Sequence, residues 1–428
     1  MAAPRVAVVG GGLAGLSAGH ALKAAGWGVE LFERTRLLGG RATSFAIGSG
    51  DLRREVDNGQ HVFLACCTAF IAFVERLGLR DELYLQERFD VVVARGARRS
   101  RLRAAPLPAP LHLAPSLLRY RHLPLGDRLR IAAALPRIRA ALDSSEPFDR
   151  WLARHRQSEA AVRAFWRPFI VPALNAPLER IPTGEAAFVI VTAFLSEPGA
   201  ARFGWSKIPL ARIAEAAAAT LDAVHRSTPV AAVEPGAHDV ALRVGSPLGE
   251  RRSFDAAVLA LTPHQLARLG FVSADDYEAR AIVDIHLWHD CGALDFDFAA
   301  LLDSPMQWIF QKEAGYLCCS LSAADALLTE QTATLAERGW DEVRAAFPAL
   351  ANARLLESAV TRNPSSTFLP KAGIRRPGVR TRFPNVTLAG AWLDTGWPDT
   401  MESAVRSGLQ AASALEETAE VRGLRHAG

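Results

Sequence analysis

With 428 residues, half of them hydrophobic, the chain is long enough to build more than one core, and two domains are expected. This composition excludes a disordered or fibrous chain. The net charge of +4 is a mild basic excess dominated by arginine, which suits anionic ligands or an anionic membrane surface and is too small to argue for nucleic acid.

Four apolar residues, Val6 to Val9, run into Gly10-x-Gly12-x-x-Gly15, and a helical pattern follows from Leu16 to Ala25. A strand, a tight turn and a helix in that order form a dinucleotide fingerprint. Gly10 makes the turn, Gly12 lets the backbone approach a pyrophosphate, and Gly15 lets helix and strand pack closely. The phosphates are expected on the free amides around Leu13 and Ala14, at the positive end of the helix. A second strand, Val29 to Glu33, ends in an acid placed to accept from ribose hydroxyls. Beyond it, Arg34 leads to Gly39-Gly40-Arg41, where backbone amides and a guanidinium can approach phosphate or a flavin edge together. Glu55-Val-Asp57-Asn58-Gly59-Gln60-His61 crowds polar groups beside a glycine, and reads either as a functional loop or as a turn bonded to its own backbone.

Residues 81 to 205 leave the alternating strand and helix pattern. Ala104 to Leu142 is rich in Leu, Pro and Arg; five prolines break its first half, and Gly126 to Leu142 predicts a basic amphipathic helix. Such a segment either rests on a membrane interface or packs on its own domain. Phe148 to Ile181 is an apolar, aromatic block that forms either a helical core or the wall of a lipid tunnel. An alanine-rich helix is expected over Ile208 to Ala223, then a strand region through Val230, and a strand leading to Pro263. Strands are expected within 282–289, 307–311 and 316–321 of a second insertion. One domain is therefore assembled from residues 1–80, 206–265 and 371–428, and the other from 81–205 and 266–370.

Cys66, Cys67, Cys291, Cys318 and Cys319 show no CxxC or zinc spacing, so free thiols in a reducing cytosol are expected, with no metal site. No run of about 18 apolar residues is free of charge or proline, so a spanning helix is not expected. The expectation is a cytoplasmic chain, peripheral on the inner face of the membrane.

The last motif runs from Val386 to Gly408: a strand ending at Gly390, a loop through Ala391, Trp392, Asp394 and Trp397, and a helix beginning near Thr400 and Met401. The amides of that helix face whatever the loop encloses, Thr395 or Thr400 can cap it, and Glu402 favours its dipole.

Together, Glu33-(x)5-Gly39-Gly40-Arg41 and Gly390 to Gly408 resemble the FAD enzymes of the carotenoid-desaturase and flavin amine oxidase superfamily. Trp308-Ile-Phe-Gln, the Pro168 to Pro177 block and the tryptophan-rich loop resemble its squalene-associated branch, the hydroxysqualene dehydroxylases. The resemblance implies an α/β fold, with a Rossmann-like FAD-binding domain of the glutathione-reductase type and a mixed α+β substrate domain. It implies that Asn58 and Gly59 lie near the flavin and that the Val230 backbone meets the adenine. It also implies a long isoprenoid substrate and association with squalene-synthase-like enzymes. The reaction implied is reductive removal of the hydroxyl of hydroxysqualene, with Asp57, His61, Asp394 and Glu402 as candidate proton donors or stabilisers, and Trp392 and Trp397 as faces for a cation. A polyprenoid desaturase and a non-catalytic lipid carrier are the alternatives. The superfamily places an acid directly after Gly390, where this chain has Ala391; either Asp394 and the helix amides hold the flavin without that acid, or FAD binds more weakly than is typical.

Overall fold

The computed structural model describes residues 3–47 and 53–421. Strand β1 (Arg5–Val9) is buried from Val6 to Val9 and pairs in parallel on both edges, as its unbroken apolar run requires. Helix α1 (Leu13–Ala24) follows, then β2 (Gly28–Phe32). A five-stranded parallel sheet results, in the order 223–225, β2, β1, 256–259, 386–388. The long helix Met401–Val421 lies against α1, and the contact is close: a Cβ on Gly408 would meet Ser17 Oγ at 2.2 Å and Ala14 O at 2.3 Å. Val230–Pro235 leaves this sheet for a three-stranded antiparallel one with 240–244 and 250–254.

The second domain is built on a seven-stranded sheet in the order 355–368, 279–289, 316–322, 308–313, 298–301, 90–95, 98–103. Alternation along Ala279–His289 decides its two faces. Val283, Ile285 and Leu287 pack with Leu335, Trp340 and Val343 of the helix Thr332–Ala346. Trp288, Cys318, Trp308 and Phe310 join the opposite core, which is roofed by the helical segments between residues 114 and 195.

The aromatic block divides between its two expected roles. Trp151 and Trp166 are core, whereas Phe169 and Pro172 face an internal cavity. The basic helix forms over Leu125–Ile138, with Ile131, Ala134 and Ile138 buried and Leu125 and Leu129 exposed. All five cysteines are free thiols. Among the described residues, no helix is long and apolar enough to cross a membrane.

Candidate functional site

One cavity of about 1240 Å³ extends from the glycine turn after β1 to the aromatic roof and the polar face of the large sheet. Its first wall is made by glycines whose roles differ. Gly10 has φ +108°, and a Cβ there would lie 2.3 Å from Ala260 O; a Cβ on Gly15 would lie 2.0 Å from Gly10 O. Both positions are sterically closed to any side chain. A Cβ on Gly12 would make only ordinary contact, with Gly39 O and Gly40 Cα both at 3.9 Å, so this position has room toward the cavity. No side chain caps α1, whose first amides, at Leu13 and Ala14, lie in the cavity wall. This bare, donor-rich concavity fits a pyrophosphate.

The Gly39-Gly40 turn closes on the same spot. Gly39 N donates to Gly11 O at 2.8 Å, and a Cβ on Gly40 would lie 3.1 Å from Gly12 Cα. Glu33 lies between them, with Oε2 accepting from Gly11 N at 2.8 Å and Oε1 from Thr35 N at 2.8 Å. Thr35 Oγ1 also donates to Oε1 at 2.9 Å; the carboxylate lines the cavity beside Arg34, and these three bonds leave Oε2 capacity to accept from a ligand hydroxyl. Val230 opens its strand at the same end, with Pro229 and Ala231 also in the wall.

Arg41 reaches the closing loop. Its Nη1 and Nη2 donate to Asp399 Oδ2 and Oδ1 at 2.9 and 2.8 Å, and Nη1 also to Ser366 O at 2.6 Å. Burial works against this guanidinium, but Asp399 outweighs it and strengthens its hold on the proton. Asp399 also accepts from Phe368 N at 3.1 Å. Asp399 was not singled out by sequence reasoning; its only signal was its place inside the tryptophan-rich motif. Arg376 is a second organiser of that kind. It donates to Ala391 O at 2.8 Å and Trp392 O at 3.0 Å, holding the loop from behind. Gly390, Ala391, Trp392, Trp397, Thr400 and Met401 all line the cavity. Thr400 caps the final helix, accepting from Ser403 N at 3.3 Å through its hydroxyl.

The four candidate acids and bases divide sharply. His61 lines the cavity beside Asn58 and Gly59, with Nε2 3.3 Å from Arg41 O, a contact that requires the proton on Nε2. Burial pushes its pKa below the ordinary value, with Asp57 opposing, so it is neutral at physiological pH. Asp57 does not line the cavity. Its oxygens accept from Ser44 Oγ at 2.7 Å, Leu210 N at 2.9 Å and Lys312 Nζ at 3.0 Å, joining the two domains. Burial raises its pKa, but Lys312, the Leu210 amide and Ser44 outweigh that and hold it below the ordinary carboxylate value. Asp394 is exposed and outside the cavity, so it does not stand in for the acid that Ala391 lacks. Glu402 touches the cavity but is fully buried. It accepts from Ala69 N at 3.0 Å, Phe70 N at 2.8 Å and Arg406 Nε at 2.7 Å. It anchors the positive end of the helix Thr68–Arg76 rather than offering a proton.

Residues 13–415 match the family model for flavin-containing amine oxidoreductases. The chain belongs to this family. It is a flavin-dependent oxidoreductase. It is 28% identical over 427 residues to a hydroxysqualene dehydroxylase of Rhodopseudomonas palustris, covering 95% of this chain and 97% of that one. A probable zeta-carotene desaturase of Synechococcus elongatus is 23% identical over 478 residues, covering 96% and 98%. The fold superposes on cyclohexylamine oxidase from Brevibacterium oxydans with a TM-score of 0.71 at 18% identity, covering 98% of this chain and all of that one.

Proposed function

We propose that this oxidoreductase binds FAD and reductively removes the hydroxyl of hydroxysqualene, giving squalene and water. The observation that carries the reading is the continuity of one cavity from a dinucleotide cradle to an aromatic enclosure. Gly12, the α1 amides and Glu33 line one end, and Phe169, Phe194, Phe203, Trp308 and Phe310 the other. The similarity to the Rhodopseudomonas palustris enzyme along nearly the whole chain supports the choice of substrate.

In this reading the glycine turns and the α1 amides receive the pyrophosphate, Glu33 accepts from the ribose, and the backbone at Val230 meets the adenine. Reduced flavin supplies a hydride when bound there. The aromatic roof binds the isoprenoid and excludes water, so that charge developing at an allylic carbon is met by ring faces instead of solvent. Trp392 and Trp397 are in the wall for that purpose; Trp392 Nε1 is tied to Leu261 O at 2.9 Å, which fixes the ring.

The test is anaerobic turnover with hydroxysqualene, squalene and a carotenoid precursor, each with oxidised and with reduced enzyme. Squalene formed from hydroxysqualene only by the reduced enzyme is the expected result. Product formed from the polyprenoid by oxidised enzyme identifies a desaturase, and a colourless protein that cannot be reconstituted with FAD refutes both.

A membrane surface is part of the same reading. Leu107, Leu111, Leu118, Leu125, Leu129 and Leu142 are six of the ten exposed large apolar side chains among the described residues, all within one short segment. Exposed Arg119, Arg121 and Arg137 stand among them, a combination that suits the interface of an anionic bilayer.

A further inference from the structure

We propose that Asp284 stores the proton that leaves with the substrate hydroxyl, and that it delivers this proton through the Ser320 hydroxyl on the cavity floor. The inference rests on the dehydroxylation reading and names a donor beyond the four sequence candidates. Asp284 lies in Ala279–His289, directly opposite Ser320 on one neighbouring strand and Thr361 on the other. It shares the face of Ile282, which lines the cavity, as does Ser320. The Asp284 side chain is 1% exposed, and its Oδ1 has no hydrogen-bond partner among the described residues. A Cβ on cavity-lining Gly59 would lie 3.4 Å from Asp284 Oδ2 and 3.7 Å from His61 Nε2. The carboxyl is therefore one layer behind the wall, at the point where Gly59, His61 and Ser320 converge.

The groups around it explain why its proton affinity is raised. Burial pushes the carboxyl up to about 6, against the pull of Ser320, the Gln60 amide and Lys312, with Asp57 adding to the rise. Lys312 is committed to Asp57 at 3.0 Å. His286, two residues along the strand, is bonded to Tyr316 Oη at 2.7 Å and approaches Thr361 Oγ1 at 3.4 Å; burial holds it down at about 4, so it is neutral. Tyr316 and Cys318, on the strand beside it, are pushed upward by burial and keep their protons, and Glu357, opposite Trp288 at the far end of this face, is paired with Arg54 at 3.2 Å.

In the step, the Ser320 proton moves to the leaving oxygen as the Asp284 proton moves to Ser320 Oγ. The C–O bond breaks with its electron pair on oxygen and water departs. The carbon receives a hydride from reduced flavin, the reductant of the proposed reaction, and Asp284 is left as a carboxylate. Ser320 meets the substrate; Asp284 acts through it as a positioning and proton-storing residue.

The experiment is single turnover of hydroxysqualene by the photoreduced full-length enzyme across pH, with infrared pH-difference spectra of the same samples. The wild-type rate is expected to fall above about pH 6, together with a titrating protonated-carboxyl band. Asp284→Asn should lose the band and about a hundredfold or more in rate, as expected for a lost general acid, and should show no pH slope. Asp284→Glu should restore the slope. Ser320→Ala should lose the rate while keeping the band, which serves if Asp284→Asn fails to fold. A wild-type rate and slope in Asp284→Asn, or a full rate in Ser320→Ala, overturns the proposal alone. Absence of squalene from the wild-type reaction overturns the dehydroxylation reading and the proposal with it.

Discussion

Arg41 and Asp399 meet through two parallel hydrogen bonds of 2.8 and 2.9 Å although 358 residues separate them in the chain. The pair joins the second glycine turn to the closing loop, and both residues line the cavity. It therefore couples the two ends of the sequence at the proposed flavin cradle.

Asp399→Ala leaves Arg41 without its carboxylate and frees the loop from the turn. Charge-assisted hydrogen bonds contribute roughly 1.5 to 3 kcal/mol, so flavin affinity should fall about tenfold to a hundredfold. The ratio of flavin to protein absorbance after dialysis, and a fluorescence titration of reconstituted apoprotein, measure this directly. Unchanged retention would show that the pair is not part of the cradle.

The glycines separate binding from folding. Gly12→Ala adds a Cβ with no neighbour closer than 3.9 Å, so the apoprotein should keep its melting temperature while flavin retention drops. Gly15→Ala drives a Cβ to 2.0 Å from Gly10 O and forces the backbone apart, costing about 1–3 kcal/mol or more. Thermal unfolding of the two apoproteins should therefore differ clearly. Equal melting temperatures would contradict the packing described for the turn.

Asp57 gives a prediction in acid. Its folded pKa lies below its ordinary value of 3.8, so the stability it contributes is complete above that value and is lost as the pH falls through the lower folded value. Unfolding measured downward from about pH 5 should show a steeper loss for the wild type than for Asp57→Asn. At neutral pH, Asp57→Ala strands Lys312 and should cost about 3–5 kcal/mol, the range for breaking a buried ion pair from one side. A neutral-pH stability within error of wild type would remove Asp57 from the domain junction.

The exposed leucines make the membrane proposal testable. Leu125 and Leu129 are 56% and 54% exposed, so Leu125→Glu with Leu129→Glu should leave folding untouched. Losing two half-inserted leucines and gaining two anionic groups should weaken binding to anionic vesicles by about tenfold or more. Co-sedimentation with anionic and with neutral vesicles tests this; equal binding by the double variant would place the contact elsewhere or nowhere.

Much of the cradle was legible because its signals are local. Val6 to Gly15 dictates a strand, a turn and a helix within ten residues, and Gly15 is required by an atom of that same unit, Gly10 O. Gly39-Gly40-Arg41 and the Trp392 to Gly408 loop carry similar short-range steric information. The candidate acids were legible only as residue types. Asp57, Asp394 and Glu402 have the right chemistry in polar, glycine-bearing stretches, but pattern alone does not tell which way a loop carboxylate turns.

The sequence by itself determined the strand-turn-helix at Gly10 to Gly15 and the second glycine turn, since backbone sterics and apolar periodicity act over a few residues. Only the tertiary structure decided that Asp399 is the partner of Arg41, that Asp57 and Glu402 are bound by distant amides and cations, and that Asp394 faces outward. It also decided that Asp284 is buried behind the cavity wall opposite Ser320, with Oδ2 near Gly59 and Oδ1 without a partner among the described residues. Those outcomes depend on strand register and on how the chain ends are brought together, and the burial that shifts a carboxyl's proton affinity exists only after the domains have packed.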